Sequence, residues 1–190
     1  MSDPRAILDF WFSPRAEPLW FEKDRAFDEE IRQRFGTAVH EAQMGGFEAW
    51  AESPTGSLAL LILLDQMSRN IYRGEAKAFL GDARARAVAE KAMARGFDRS
   101  FPFRQRRFFY LPFEHAEDMS NQDRAVDLFT RLRDETAGPE RNEAEVQLDY
   151  AHRHRDIIRR FGRYPHRNEA LGRESTEDEL AFLKSPGSSF

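Results

Sequence analysis

Apolar residues recur along this chain at helical spacing and never alternate with polar ones over a useful length, so the pattern predicts an all-α protein. Asp3 and Pro4 supply an N-cap and a first helical residue, and Ile7, Phe10 and Trp11 form the stripe of a first helix that stops at Ser13-Pro14. Glu22 to Met44 carries Phe27, Ile31, Phe35, Val39 and Ala42 at the spacing of a second helix, closed by Gly45-Gly46 and weakened inside by Gly36. A third helix is predicted from Ser57 to Tyr72. Its first half, Leu58 to Leu64, is apolar all round, the mark of a helix enclosed by others. Its second half turns polar at Asp65, Gln66, Arg69, Asn70 and Arg73, groups that a buried helix must satisfy internally.

Asp82 to Arg95 is Ala-rich and ends at Gly96, which predicts a closely packed fourth helix. Arg99 to Tyr110 interleaves arginines with aromatics; core Phe residues covered by Arg stems account for it better than nucleic-acid binding does. Asn121 to Thr136 predicts a helix with Val126, Phe129 and Leu132 inward, and Gly138-Pro139 resets the chain for the next one. That helix places Tyr150, His154, Ile157, Ile158 and Phe161 on one face, so His154 is expected inward, with Tyr150 beside it. Gly162 stops it and Pro165 forbids its simple continuation. Thr176 to Glu179 reads as a capping box for a last short helix through Leu183. The expected organisation is a single domain over residues 1–184 with a flexible tail at 185–190.

A chain of 190 residues can bury roughly 70% of its unfolded surface, so a true core is expected. The 33% charged content and the shortness of the longest apolar run exclude a bilayer-spanning helix. The N-terminus has neither the basic start nor the cleavage pattern of a secretion signal, and the expectation is a cytoplasmic protein. Absence of Cys excludes disulfides, thiol catalysis and thiolate metal ligands. A net charge of −4 gives no general attraction for nucleic acid, so none is expected as a partner.

Two segments echo one another: Ser68-Arg69-Asn70-Ile71-Tyr72-Arg73-Gly74 and His166-Arg167-Asn168-Glu169-Ala170-Leu171-Gly172-Arg173. Arginine forks hold carboxylates or phosphates at two points, and asparagine adds a donor and an acceptor. The same arginines can equally pair with Asp65, Glu114, Glu117 and Asp118 in an internal network. Glu114-His115-Ala116-Glu117-Asp118 offers carboxylates beside an imidazole, the set that proton transfer needs. A metal site built from it with His154 and His166 lacks support from spacing, since there is no HExxH, and no metal or cofactor is expected. Neither a nucleophile elbow nor a phosphate-cradling Gly-rich loop is present.

Taken together, Asp9-Phe10-Trp11-Phe12, Trp20-Phe21, Leu64-Asp65-Gln66, Arg69-Asn70, Pro112-Phe113-Glu114-His115, Phe161-Gly162-Arg163 and Pro165-His166-Arg167-Asn168 resemble the bacterial domain-of-unknown-function 924 family over nearly the whole chain. The resemblance implies antiparallel helix hairpins in a tetratricopeptide-like superhelical array and implies no established activity. Ser68 stands where the family usually has Pro, Tyr164 where it usually has Phe, and Ala116 where Ser is common, so position 116 receives no catalytic role.

The reading that follows is a helical protein binding a small anionic molecule. Its site would draw on Asp65, Gln66, Arg69, Asn70, Arg73, Asp118, His154, Arg163, Arg167, Asn168 and Arg173. Two alternatives stand beside it: a hydrolytic or proton-transfer enzyme using Glu114, His115 and His166, and a helical scaffold holding a protein partner on its concave face.

Overall fold

Helix starts follow the caps written in the sequence. The Asp3 carboxylate accepts the Arg5 N–H at 3.0 Å and opens α1 (Pro4–Trp11), and the Asp24 carboxylate accepts from Phe27 N–H at 2.9 Å and opens α2 (Arg25–Gln43). The second helix therefore begins three residues later than the apolar pattern alone predicts, and it runs unbroken through Gly36. Ser53 caps α3, which begins as Pro54–Leu61, widens through a π-helical stretch at Ile62–Met67 and ends as Ser68–Ile71. Downstream lie α4 (Asp82–Ala94), α5 (Met119–Asp134), α6 (Pro139–Phe161) and α7 (Glu177–Leu183), with short helical turns between them. This computed structural model describes residues 3–188, and among these there is no β-strand. Of the tail expected at 185–190, residues 189 and 190 lie outside the described residues; Ser188 is buried and donates to the Leu183 carbonyl at 3.1 Å.

Two compact units make up the chain. The first comprises the residues up to Arg73 together with Lys77–Pro112, and the second Gly74–Ala76 and everything from Phe113 on. In the first unit α3 is enclosed: Leu58 to Leu64 are all essentially inaccessible, with α1, α2 and α4 packed around them. Each leucine or isoleucine among them contributes about 1.5–3 kcal/mol by leaving water. An aromatic cluster joins Trp11, Trp20, Phe27 and Phe108, with the Arg107 guanidinium 4.7 Å from the Trp20 ring. Phe103, Phe108, Phe109 and Tyr110 of the aromatic and basic segment are thus core, with Arg107 lying over the rings.

The second unit is built on a hairpin of α5 and α6, whose capping residue Asp118 accepts from Asn121 N–H at 2.9 Å. Helix α6 buries Ala144, Leu148, Ala151, His154 and Ile158, a run of i, i+4, i+7, i+10 and i+14. Tyr150 falls off that stripe and is 44% exposed, which corrects the expectation that it shares the inward face of His154. Gly162 ends α6 at φ 70°, a left-handed conformation that a Cβ would strain. Ile157, Ile158 and Tyr164 then form a core patch against Met119, Phe161 and Phe182. No helix among the described residues is long and apolar enough to cross a membrane.

Candidate functional site

In the first unit the polar end of α3 is met by carboxylates. Arg69 pairs with Asp65 at 3.0 Å, the i, i+4 contact its spacing predicts, and forks onto both oxygens of Asp82 at 3.1 Å. Asn70 donates to Asp28 at 2.7 Å, and Arg73 reaches the same carboxylate at 2.9 Å through two nitrogens. Gln66 donates to Asp65. Asp28 and Asp82 were not singled out by sequence, because each sits in the first turn of a helix where an acidic residue already has a local explanation.

In the second unit the turn after α6 is a dense polar network. Arg173 forks onto Glu117 at 2.6 and 2.9 Å, and its Nε donates to the Asn168 side-chain oxygen at 2.9 Å. Arg163 forks onto Glu179 at 2.6 and 2.8 Å. The Asn168 amide faces Ser175 at 3.0 Å and Glu179 at 3.3 Å. Glu117 is half-buried, and burial acts to raise its proton affinity. The Arg173 fork, the Tyr164 N–H and the Arg167 charge more than offset this and hold the carboxyl below its ordinary range. Arg163 brings Glu179 lower still, to about 2. Asp118 serves the helix start as a cap and also accepts from the Asn121 side chain at 2.6 Å.

Glu114, His115 and His154 come together beside this turn. One ligand atom from each lies within 4.8 Å of the other two, although α6 contributes one residue and the segment before α5 contributes two. His154 is 5% exposed, and its Nδ1 lies 2.9 Å from the Tyr150 carbonyl and 3.3 Å from Glu114 Oε1. A carbonyl only accepts, so Nδ1 carries the hydrogen and Nε2 carries the lone pair. Burial pushes the proton affinity of His154 well below the usual imidazole range, and His115, Arg167 and His166 push the same way against the Tyr150 hydrogen bond. Arg167 donates to the His115 carbonyl at 3.0 Å and stacks over the Tyr164 ring at 4.4 Å, while the ring of His166 lies 5.5 Å from that of Tyr164.

Two comparisons find relatives. The family profile described as "Bacterial protein of unknown function (DUF924)" matches residues 7–187. The chain belongs to this family. A structure described as a protein of unknown function from Agrobacterium tumefaciens is similar to the chain at 42% identity and a TM-score of 0.85, covering 95% of this chain and 96% of that one. No curated protein matches. Within this DUF924 protein, Tyr150 enters the site through its backbone and Gln122 through an amide buried in the hairpin. Neither leaves a readable signal, since any residue supplies a carbonyl and Gln122 is one polar residue among many on α5.

Proposed function

We propose that this family member binds a small anionic ligand in its second unit, at Arg167 and the imidazoles of His115 and His154, on a tetratricopeptide-like helix-hairpin scaffold. The observation that carries the reading is the position of Arg167. The residue is 6% exposed, yet it delivers a guanidinium to the carbonyl of His115 and acts electrostatically on His154. A positive charge held in such a low-dielectric surrounding attracts an anion far more strongly than one in water. Half-buried His115 and His166 give the cluster access to solvent. Arg163 and Arg173, each forked onto a carboxylate, support the turn that carries Arg167.

Thermal shift with a panel of small carboxylates and phosphates tests the reading on wild type, Arg167→Ala and His115→Ala. At least one anion should raise the wild-type midpoint by several degrees and the variants by much less. A panel in which no anion stabilises the wild type more than both variants ends the proposal.

Proton transfer is a second reading, favoured by the contact of His154 Nδ1 with Glu114 and the Tyr150 carbonyl. A base whose far nitrogen is oriented in this way presents its lone pair in a fixed direction. An ester and phosphoester hydrolysis screen in which His154→Gln retains full turnover removes this reading.

A further inference from the structure

We infer that Glu114, His115 and His154 hold one divalent first-row transition cation, an inference that goes beyond anion binding and rests on the ligand geometry alone. Zinc-type ligands 2.0–2.2 Å from a tetrahedral ion lie about 3.4 Å from one another. One ring nitrogen of each histidine and one Glu114 oxygen already lie within 4.8 Å of one another, so closing on an ion asks for side-chain movements on the order of 1 Å. Two imidazole nitrogens and one carboxylate oxygen suit Zn2+, Co2+ or Fe2+ and are a poor set for Ca2+ or Mg2+, which favour all-oxygen surroundings.

The groups around the triad are those that metal-binding imidazoles use. A ligating histidine usually donates its other N–H to a carbonyl or carboxylate, which fixes the ring and raises its basicity. His154 has its Nδ1–H on the Tyr150 carbonyl, which makes Nε2 the nitrogen it would use for an ion. A carboxylate has two oxygens, so Glu114 can meet both Nδ1 and an ion. The main chain of the other two ligands is clamped as well: the Glu114 carbonyl accepts from the Tyr164 hydroxyl at 2.5 Å and from Gln122 at 2.6 Å, and the His115 carbonyl accepts from Arg167. These clamps fix ligand positions before any ion arrives. Three protein ligands leave a coordination position open. The nearby Arg167 charge opposes a cation, and an anion seated between the two offsets that repulsion; this last link depends on the function proposed above. With an ion in place His154 is a ligand, and its role as a proton acceptor lapses.

Titration of chelator-treated full-length protein with Co2+ alone tests the inference through its visible absorption, with Zn2+ as competitor and bound metal counted by mass spectrometry. One Co2+ per chain is expected, with the intense absorption of a low-coordinate site that Zn2+ abolishes. Glu114→Gln and His115→Ala should each weaken binding at least about tenfold, whereas His40→Ala and His152→Ala should leave it unchanged. His115 is half-buried, so its variant is a fair test even where a change at buried His154 unfolds the chain. Absence of saturable uptake, or uptake undiminished in both site variants, overturns the inference. Thermal shifts with anions in chelator keep the two proposals apart: anions that bind without Co2+ uptake leave only the anion reading standing, and Co2+ uptake with no anion response leaves only the metal site.

Discussion

Tyr164 places its hydroxyl 2.5 Å from the main-chain carbonyl of Glu114, fifty residues earlier in the chain. The bond ties the turn after α6 to the segment that supplies Glu114 and His115, and burial pushes the phenol's proton affinity up, so it remains a donor. Gln122 donates to the same carbonyl, so losing the hydroxyl does not orphan that acceptor. Tyr164→Phe is therefore expected to cost only about 1 kcal/mol in urea unfolding. Retained Co2+ binding by that variant is expected as well; its loss shows that the clamp on Glu114 depends on the phenol.

Glu179 gives the turn a defined acid sensitivity. Its carboxylate takes the Arg163 fork, the Thr176 N–H and the Asn168 amide, and its folded-state pKa of about 2 lies below the ordinary 4.5. A depressed value means that its stabilisation is complete above pH 4.5 and is lost as the pH falls toward 2. Glu179→Gln should lower stability by roughly 1–3 kcal/mol at neutral pH, and the gap from wild type should narrow through that acid range. Thermal midpoints of both proteins measured from pH 7 to pH 2 check this; a constant gap contradicts it.

Arg173 and Glu117 should behave as a coupled pair. Arg173→Ala leaves Glu117 with the Tyr164 N–H, and Glu117→Ala leaves Arg173 with Asn168 and the Tyr164 carbonyl, so neither variant leaves the other side chain without a hydrogen-bond partner. A double-mutant cycle in urea should return a coupling of about 1–2 kcal/mol for a fork of this partial exposure. A coupling near zero shows the contact to be incidental.

Gly81 stands where α4 begins, close to the main chain of α3. A Cβ there would lie 2.6 Å from the Leu64 carbonyl oxygen, a backbone atom that cannot swing aside. Gly81→Ala should destabilise the protein by about 1–3 kcal/mol, measured as a lower denaturation midpoint. Unchanged stability means that the two helices separate at little cost.

Much of this was legible in the residues themselves. Asp3 and Thr176 carry their caps in side chains that accept from specific N–H groups, whereas Ser53 caps a helix that starts at Pro54, three residues ahead of the predicted Ser57; Leu58 to Leu64 declare a buried helix through the absence of any polar face. Tyr150 was misplaced because helical spacing fixes a face but not which end of a wide stripe the neighbouring helix covers. The triad is set aside in the sequence for another reason. Glu114 and His115 stand 40 and 39 positions before His154, and only the closing of the α5–α6 hairpin makes them neighbours. Spacing rules detect ligands brought together by one helix, not by two.

The widened stretch at Ile62–Met67 has a consequence for phase. A π-helical turn accommodates a surplus residue within an otherwise regular helix. Were the segment to relax to ordinary α geometry with all its residues kept, everything after it would rotate by about 100° relative to what precedes it. Arg69 and Asn70 would then swing off Asp82 and Asp28, while the leucines before them kept their seats. One extra amino acid thus sets the angular offset between the greasy half of α3 and its charged half.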